Sequence, residues 1–340
     1  MNAGEIRQAL KGASKIPDPV LQHIFQQRWL QIWVPEAYGG LGDRLAEGLA
    51  RLYEWAKIDG SLGWMLTLCA GANYFSRNLA PAVAKELFSS PHTCFGGSGM
   101  IGGSAVLRED GGYLVTGNWR FATGAPHLSH FTLNARLIRE DKPVIGENGM
   151  EMIRSFVVPK EQAEILPDWK SMGMRSTGTY SFHLRAVQVP EVFSFLYDSF
   201  FSDDVLDRVP FRVFADLTLL VNYLGMAFHF AEEAAEVRPS LRLDEFVSSI
   251  EKHMDHILRT AGEIEQTLAG AGSVPAGIQA GIHAYGTELV GQLSHRLIRI
   301  YTQLGIRASQ VDAPVHQVLC DYFTATQHAN FRPSPGEFSF

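Results

Sequence analysis

The sequence predicts an α+β protein in three successive units: an N-terminal helical domain over 1–90, a central β domain over 91–200 and a C-terminal four-helix bundle over 201–340. Two observations carry this reading. Apolar residues recur at helical spacing before about residue 90 and after about residue 205, whereas between these limits they alternate with polar ones. The alternating runs are separated by glycine-rich turns with no helical pattern between them, which describes an antiparallel barrel or sandwich.

In the first unit, Pro35 and the run Tyr38-Gly39-Gly40-Leu41-Gly42 mark a loop between helices, because proline ends a helix and glycine permits positive φ. A second break at Gly60-Ser61-Leu62-Gly63-Trp64 leads into an apolar, buried helix over 65–72. In the second unit, Phe131, Leu133, Ala135 and Leu137 alternate with Thr132, Asn134 and Arg136, as in a half-buried strand. Asp110-Gly111-Gly112 reads as a hairpin turn between 105–108 and 113–121, and 153–159 and 180–190 are further strands. In the third unit, Val247, Ile250, Met254, Ile257, Ala261, Ile264 and Leu268 share one helical face, and Leu289, Leu293, Leu297, Ile300 and Leu304 share another. With 214–237 and 315–329 these make four helices, interrupted at Pro239 and at Gly270-Ala271-Gly272-Ser273.

The chain has 340 residues, 46% hydrophobic and 19% charged, the balance of a globular protein with sizeable cores. A net charge of −7 gives no electrostatic basis for binding nucleic acid or an anionic membrane. Cys69, Cys94 and Cys320 are far apart and form no CxxC, which points to a reducing compartment and away from disulfides or a thiolate metal site. The first residues lack the apolar core of a secretory signal, and Arg212, Asp216, Asn222 and His229 interrupt the apolar stretch 211–230. A cytoplasmic location is the expectation.

Two motifs invite over-reading. Gly97-Ser98-Gly99-Met100-Ile101-Gly102 matches GxGxxG, but strands come after it where a dinucleotide site needs a helix N-terminus to receive the pyrophosphate. The pairs His253/His256 and His127/His130 lack a third ligand and read as surface or capping histidines, so no metal is expected.

Three motifs laid on this order of domains carry a resemblance. Val34-Pro35-Glu36-Ala37-Tyr38-Gly39-Gly40-Leu41-Gly42 resembles the PE-x-YGG-x-G loop of the acyl-CoA dehydrogenase superfamily. The run Gly112 to Gly124, containing Thr116-Gly117-Asn118-Trp119-Arg120-Phe121-Ala122-Thr123, is similar to its strand-pair motif. Trp169 to Thr179, with Met172-Gly173-Met174-Arg175-Ser176-Thr177-Gly178, is similar to its third signature. The resemblance covers nearly the whole chain and implies a flavin lying between the β domain and the bundle. It implies FAD, with FMN as the alternative because the partner-contact region near 239–243 is short. Thr123 would hydrogen-bond the ring near N5 with Phe121 packing alongside. Phe95, Gly96 and Ser98 would line the ring from the preceding loop, and Gly124 and Arg175 complete the cofactor-binding candidates. Donors aimed at the ring nitrogens and oxygens stabilise charge on a reduced flavin.

The resemblance also divides the chemistry. Dehydrogenases of the superfamily use a glutamate in a C-terminal context that 331–338, with Glu337, does not reproduce; a bundle glutamate such as Glu263 is then the candidate base. The run Asp321-Tyr322-Phe323-Thr324-Ala325-Thr326-Gln327-His328-Ala329 resembles instead a helix of the superfamily's oxygen-using hydroxylases, in which a histidine at the His328 position helps the flavin to use oxygen. The two branches, acyl thioester dehydrogenation and hydroxylation, stand close to even with a lean towards hydroxylation. A flavin- or acyl-CoA-binding member with weakened catalysis and a non-flavin helical interaction protein are the other readings. The expected partners are a small acyl or aromatic substrate, a flavin reductase or electron-transfer protein, and further copies of the chain in a homodimer or homotetramer.

Overall fold

The structure is a computed structural model that describes residues 1–109, 111–270 and 272–332. Asp110 of the expected hairpin turn, Ala271 of the expected helix break and Glu337 lie outside the described residues.

The N-terminal unit consists of α1 (Ala3–Leu10), α2 (Asp18–Gln26), α3 (Leu45–Ile58), α4 (Gly60–Asn73) and α5 (Pro81–Phe88). The break expected at Gly60 is instead the first turn of α4: Asp59 occupies the N-cap and its carboxylate accepts from the Leu62 N–H at 2.9 Å. Glycine is needed at Gly63 for close approach and not for a turn, since a Cβ there would lie 2.5 Å from Ala56 Cα. Gly225 meets the same alanine from the bundle, so three helices converge on one small residue.

The central unit is one sheet built from β1 (Phe95–Leu107), β2 (Tyr113–Ala122), β3 (His130–Arg139), β4 (Lys142–Pro143), β5 (Ile153–Pro159), β6 (Glu164–Leu166), β7 (Tyr180–Val189) and β8 (Ser194–Phe195). The order is β6-β7-β2-β1-β3-β5-β8, with β4 on β3. All pairings are antiparallel, as expected, except β1 with β3, which is parallel. β1 also begins ten residues earlier than the 105–108 run, at Phe95. Its glycines hide it from any periodicity, yet they are what the register requires, because a Cβ on Gly97 would lie 1.7 Å from the Thr132 carbonyl oxygen. The GxGxxG letters therefore sit inside a strand.

The bundle comprises α6 (Phe211–Val237), α7 (Asp244–Ala269), α8 (Ala276–Tyr301) and α9 (Pro314–Ala325). The two predicted faces are buried within the chain: Ile250, Ile257, Ile264 and Leu268 on α7, and Leu289, Leu293 and Leu297 on α8. α6 is long and apolar enough to cross a membrane, but 89% of its most apolar window is buried inside the protein. Asp216, Asn222 and His229 lie on its buried surface. α9 stops at Ala325, four residues short of expectation, so His328 lies in the turn beyond the helix and not on it.

Candidate active site

Where α4, α6, the start of β1, the end of β2 and the chain after α9 meet, they enclose a cavity of about 340 Å³. That volume is at the lower end for ligand sites. Two larger clefts, of about 540 and 420 Å³, lie on the β domain and between the N-terminal unit and α7, and gather none of the candidate residues. The deep wall is apolar, with Leu68 and Phe75 from the N-terminal unit facing Phe211, Phe214 and Leu219 of α6. Hydroxyls, bare glycine backbone, one carboxamide and one imidazole add polar groups, among them Thr67, Gly96, Ser98, Thr123, Asn330 and His328.

Of the predicted residues, Gly96, Ser98, Thr123 and His328 converge here. Phe95 does not line the cavity; it is buried behind the wall against Phe88 and His130. Gly124 also stands behind it at φ +80°, where a Cβ would lie 2.8 Å from Cys69 Sγ. Phe121 is 58% exposed and adopts φ +65°, a left-handed conformation that is an outlier for a bulky residue. That twist coincides with the register shift between Trp119 and Ala122 against β7, and it turns the Phe121 ring outward beside Trp169, 6.5 Å between centroids. Trp119 itself is structural: it is buried, stacks on Phe182 and donates to the Asn134 carbonyl. Arg175 is exposed on a 3-10 turn outside the cavity.

Glu263 is the correction. It is exposed on α7 and does not line the cavity. The buried glutamate of that helix is Glu265, which is tied to the Leu45 N–H at 2.8 Å and to Arg44 at 3.1 Å. Among the described residues, no carboxylate lines the cavity.

His328 stands at the mouth, its outer edge exposed and its ring edge-on to Trp64, 5.6 Å between centroids. Loss of surrounding water lowers its pKa, an effect tempered by the exposed edge. The Asn330 N–H points at Nδ1 from 3.3 Å, which makes Nδ1 the acceptor and leaves the proton of the neutral ring on Nε2. Asn330 is fixed in turn: its amide donates to the fully buried Asp216 at 2.7 Å, and Asp216 also faces His283 at 3.2 Å. The other neighbouring histidines, His253 and His256, pack on Tyr285 in the bundle.

Several contributors escape the sequence. A bulge after Ser98 breaks the β1–β3 ladder, and the Asn134 side chain replaces the lost pairing by donating to the Gly99 carbonyl and to Tyr197 Oη. Tyr197 lines the cavity, and burial raises its pKa. The third signature serves docking: Gly173 fits against Cys320, with Gly173 N–H on Thr324 and Met174 N–H on the buried Asp321. Asp321 thus fixes α9, and the turn bearing His328, to the segment that holds Thr177 and Thr179.

No family model matches the chain. The HsaA oxygenase subunit of a flavin-dependent monooxygenase from Mycobacterium tuberculosis is 22% identical over 95% of this chain and 87% of its own. Its crystal structure superposes with a TM-score of 0.86 at 20% identity, covering 97% of this chain and 91% of that one. XiaF from Streptomyces sp., solved with FADH2 and glycerol, gives 0.83 at 21% identity over 97% and 89%. The chain has the acyl-CoA dehydrogenase-like fold. TdsC from Paenibacillus sp. A11-2, solved with FMN and indole, shares this fold with a TM-score of 0.77 at 18% identity over 96% and 91%.

Proposed function

We propose that the protein is the oxygenase component of a two-component flavin-dependent monooxygenase, hydroxylating a small aromatic substrate with reduced flavin delivered by a separate reductase. One observation carries the choice between the branches: the described lining of the cavity offers an imidazole and hydroxyls but no carboxylate. Abstraction of an α-proton from an acyl thioester needs such a base, and Glu263 is elsewhere. HsaA and TdsC are monooxygenases, and the protein is a flavin-dependent oxidoreductase.

The residues fit a flavin. Bare backbone at 96–98, the Ser98 hydroxyl and Thr123, meeting the ring near N5, would hold the isoalloxazine; Phe121, turned outward, does not line the cavity. FAD and FMN both suit this set, as the structures of XiaF and TdsC hold one or the other. When bound, reduced flavin supplies the electrons and the atom at which oxygen is activated. His328 Nε2–H then holds a proton at the mouth where negative charge develops on oxygen. The Phe75, Phe211 and Phe214 wall excludes water and seats an aromatic ring.

Self-association belongs to the same proposal. The Leu289 face is used within the chain, so a second copy would cover other apolar residues, such as Ile306 and Val311 beyond α8, each about 80% exposed. Light scattering should return a dimer or tetramer. The reaction is tested by mixing protein and anaerobically reduced flavin with ¹⁸O₂ and indole as probe. One labelled oxygen atom in the product supports the proposal. Release of all oxygen as peroxide across a panel of aromatics, with acyl-CoA bleaching the flavin under argon, would defeat it.

A further inference from the structure

Three buried threonine hydroxyls form a chain that ends at the cavity wall. Thr177 Oγ1 lies 2.8 Å from the Met174 carbonyl oxygen and 2.7 Å from Thr179 Oγ1, which lies 3.1 Å from Thr123 Oγ1. Of the three, Thr123 alone lines the cavity. Two oxygens at these distances attract only with a proton between them. The carbonyl carries none, so Thr177 donates to it. The Thr177 proton is then committed, so Thr179 donates to Thr177, and by the same step Thr123 donates to Thr179. Three hydroxyl protons fill three contacts in one way only. Thr123 therefore presents lone pairs, and no proton, to the cavity.

We infer that this polarised chain makes the site select reduced over oxidised flavin, with Thr177 and Thr179 as positioning residues that act through Thr123. The inference rests on the flavin reading above. N5 of the oxidised ring is an acceptor and meets Thr123 lone pair against lone pair. Two-electron reduction with uptake of a proton at N5 makes that atom a donor, and the same hydroxyl then accepts from it. This polarity reverses the expectation that Thr123 donates to the ring.

The test is anaerobic titration of the apoprotein with oxidised and with dithionite-reduced FAD and FMN, together with the midpoint potential of the bound flavin. The parent should bind the reduced form at least about tenfold more tightly, the worth of one hydrogen bond. Thr177→Val frees Thr179 and Thr123 to turn their protons the other way. It should narrow the ratio roughly tenfold and lower the bound potential by about 30 mV. Thr177→Ser should keep the parent ratio. Thr179→Val removes the acceptor for Thr123 and should narrow the ratio as well, which keeps the test alive if Thr177→Val does not fold. An unchanged ratio in the valine variants, equal narrowing by Thr177→Ser, or a parent that binds both redox forms equally would overturn the inference alone. A parent that binds neither flavin would remove the flavin reading with it.

Discussion

At the scale of single residues, the site is a matter of which proton faces which atom. His328 presents Nε2–H because the Asn330 N–H occupies Nδ1. Protonation of Nδ1 breaks that contact, so the ordered ring persists above its lowered pKa and is lost as pH falls through it, on the acid side of 6.5. Replacing His328 with alanine should cut product formed per reduced flavin roughly 100-fold, with peroxide appearing in its place. It should also abolish the acid limb of the rate profile. Because the outer edge of the ring is exposed, unfolding free energy should change by no more than about 1 kcal/mol; a large loss of stability would mean that the residue is structural. His328, Thr123, Ser98 and Gly96 were legible through the motifs that contain them. Glu263 misleads because a one-dimensional pattern cannot tell which of two glutamates, two residues apart on α7, faces inward. The polarity of Thr123 was not legible either, since it depends on contacts to Thr177 and Thr179 that only folding creates.

At the scale of elements, the site depends on where strands and helices end. The first half of β1 is invisible to periodicity because glycines occupy positions where an alternating strand carries side chains; close packing on β3 explains them. α9 looks longer in sequence than it is, as the helical pattern runs on through His328 while the helix stops at Ala325. The turn beyond Ala325 is held by the Asn330 amide on Asp216. Asp216→Ala removes this anchor and strands both His283 and Asn330, at a cost of about 2–3 kcal/mol. Amide exchange across 326–332 should accelerate more than exchange in the body of α6. If exchange at 326–332 is unaltered, the turn carrying His328 is held by something else.

At the scale of the whole molecule, the order of helical, β and helical units was readable because the period of burial changes at each boundary. The parallel β1–β3 pair was not, because strand direction leaves no trace in alternation. Acid should destabilise the fold through His127: burial, reinforced by Lys160, lowers its pKa to about 4, and its Nε2 has no hydrogen-bond partner among the described residues. Its contribution is complete above 6.5 and lost as pH falls through about 4, on the order of 3 kcal/mol. His127→Asn should flatten that limb of a stability–pH curve, and an unchanged limb would assign it to other groups. Burial raises Asp59 and Asp321, which act with the opposite sign, favouring the fold at low pH and less as pH rises through their values. The β2–β7 ladder has one further consequence. It joins the most distant stretches of chain of any pairing in the sheet, and the Thr123–Thr179 contact at its end closes a separation of 56 residues. Closing so long a loop is entropically the slowest part of assembling the sheet. On refolding from denaturant, the capacity to capture flavin should therefore arrive with the slowest phase, after helical content has recovered, so that a newly made chain is well structured before it can hold its cofactor.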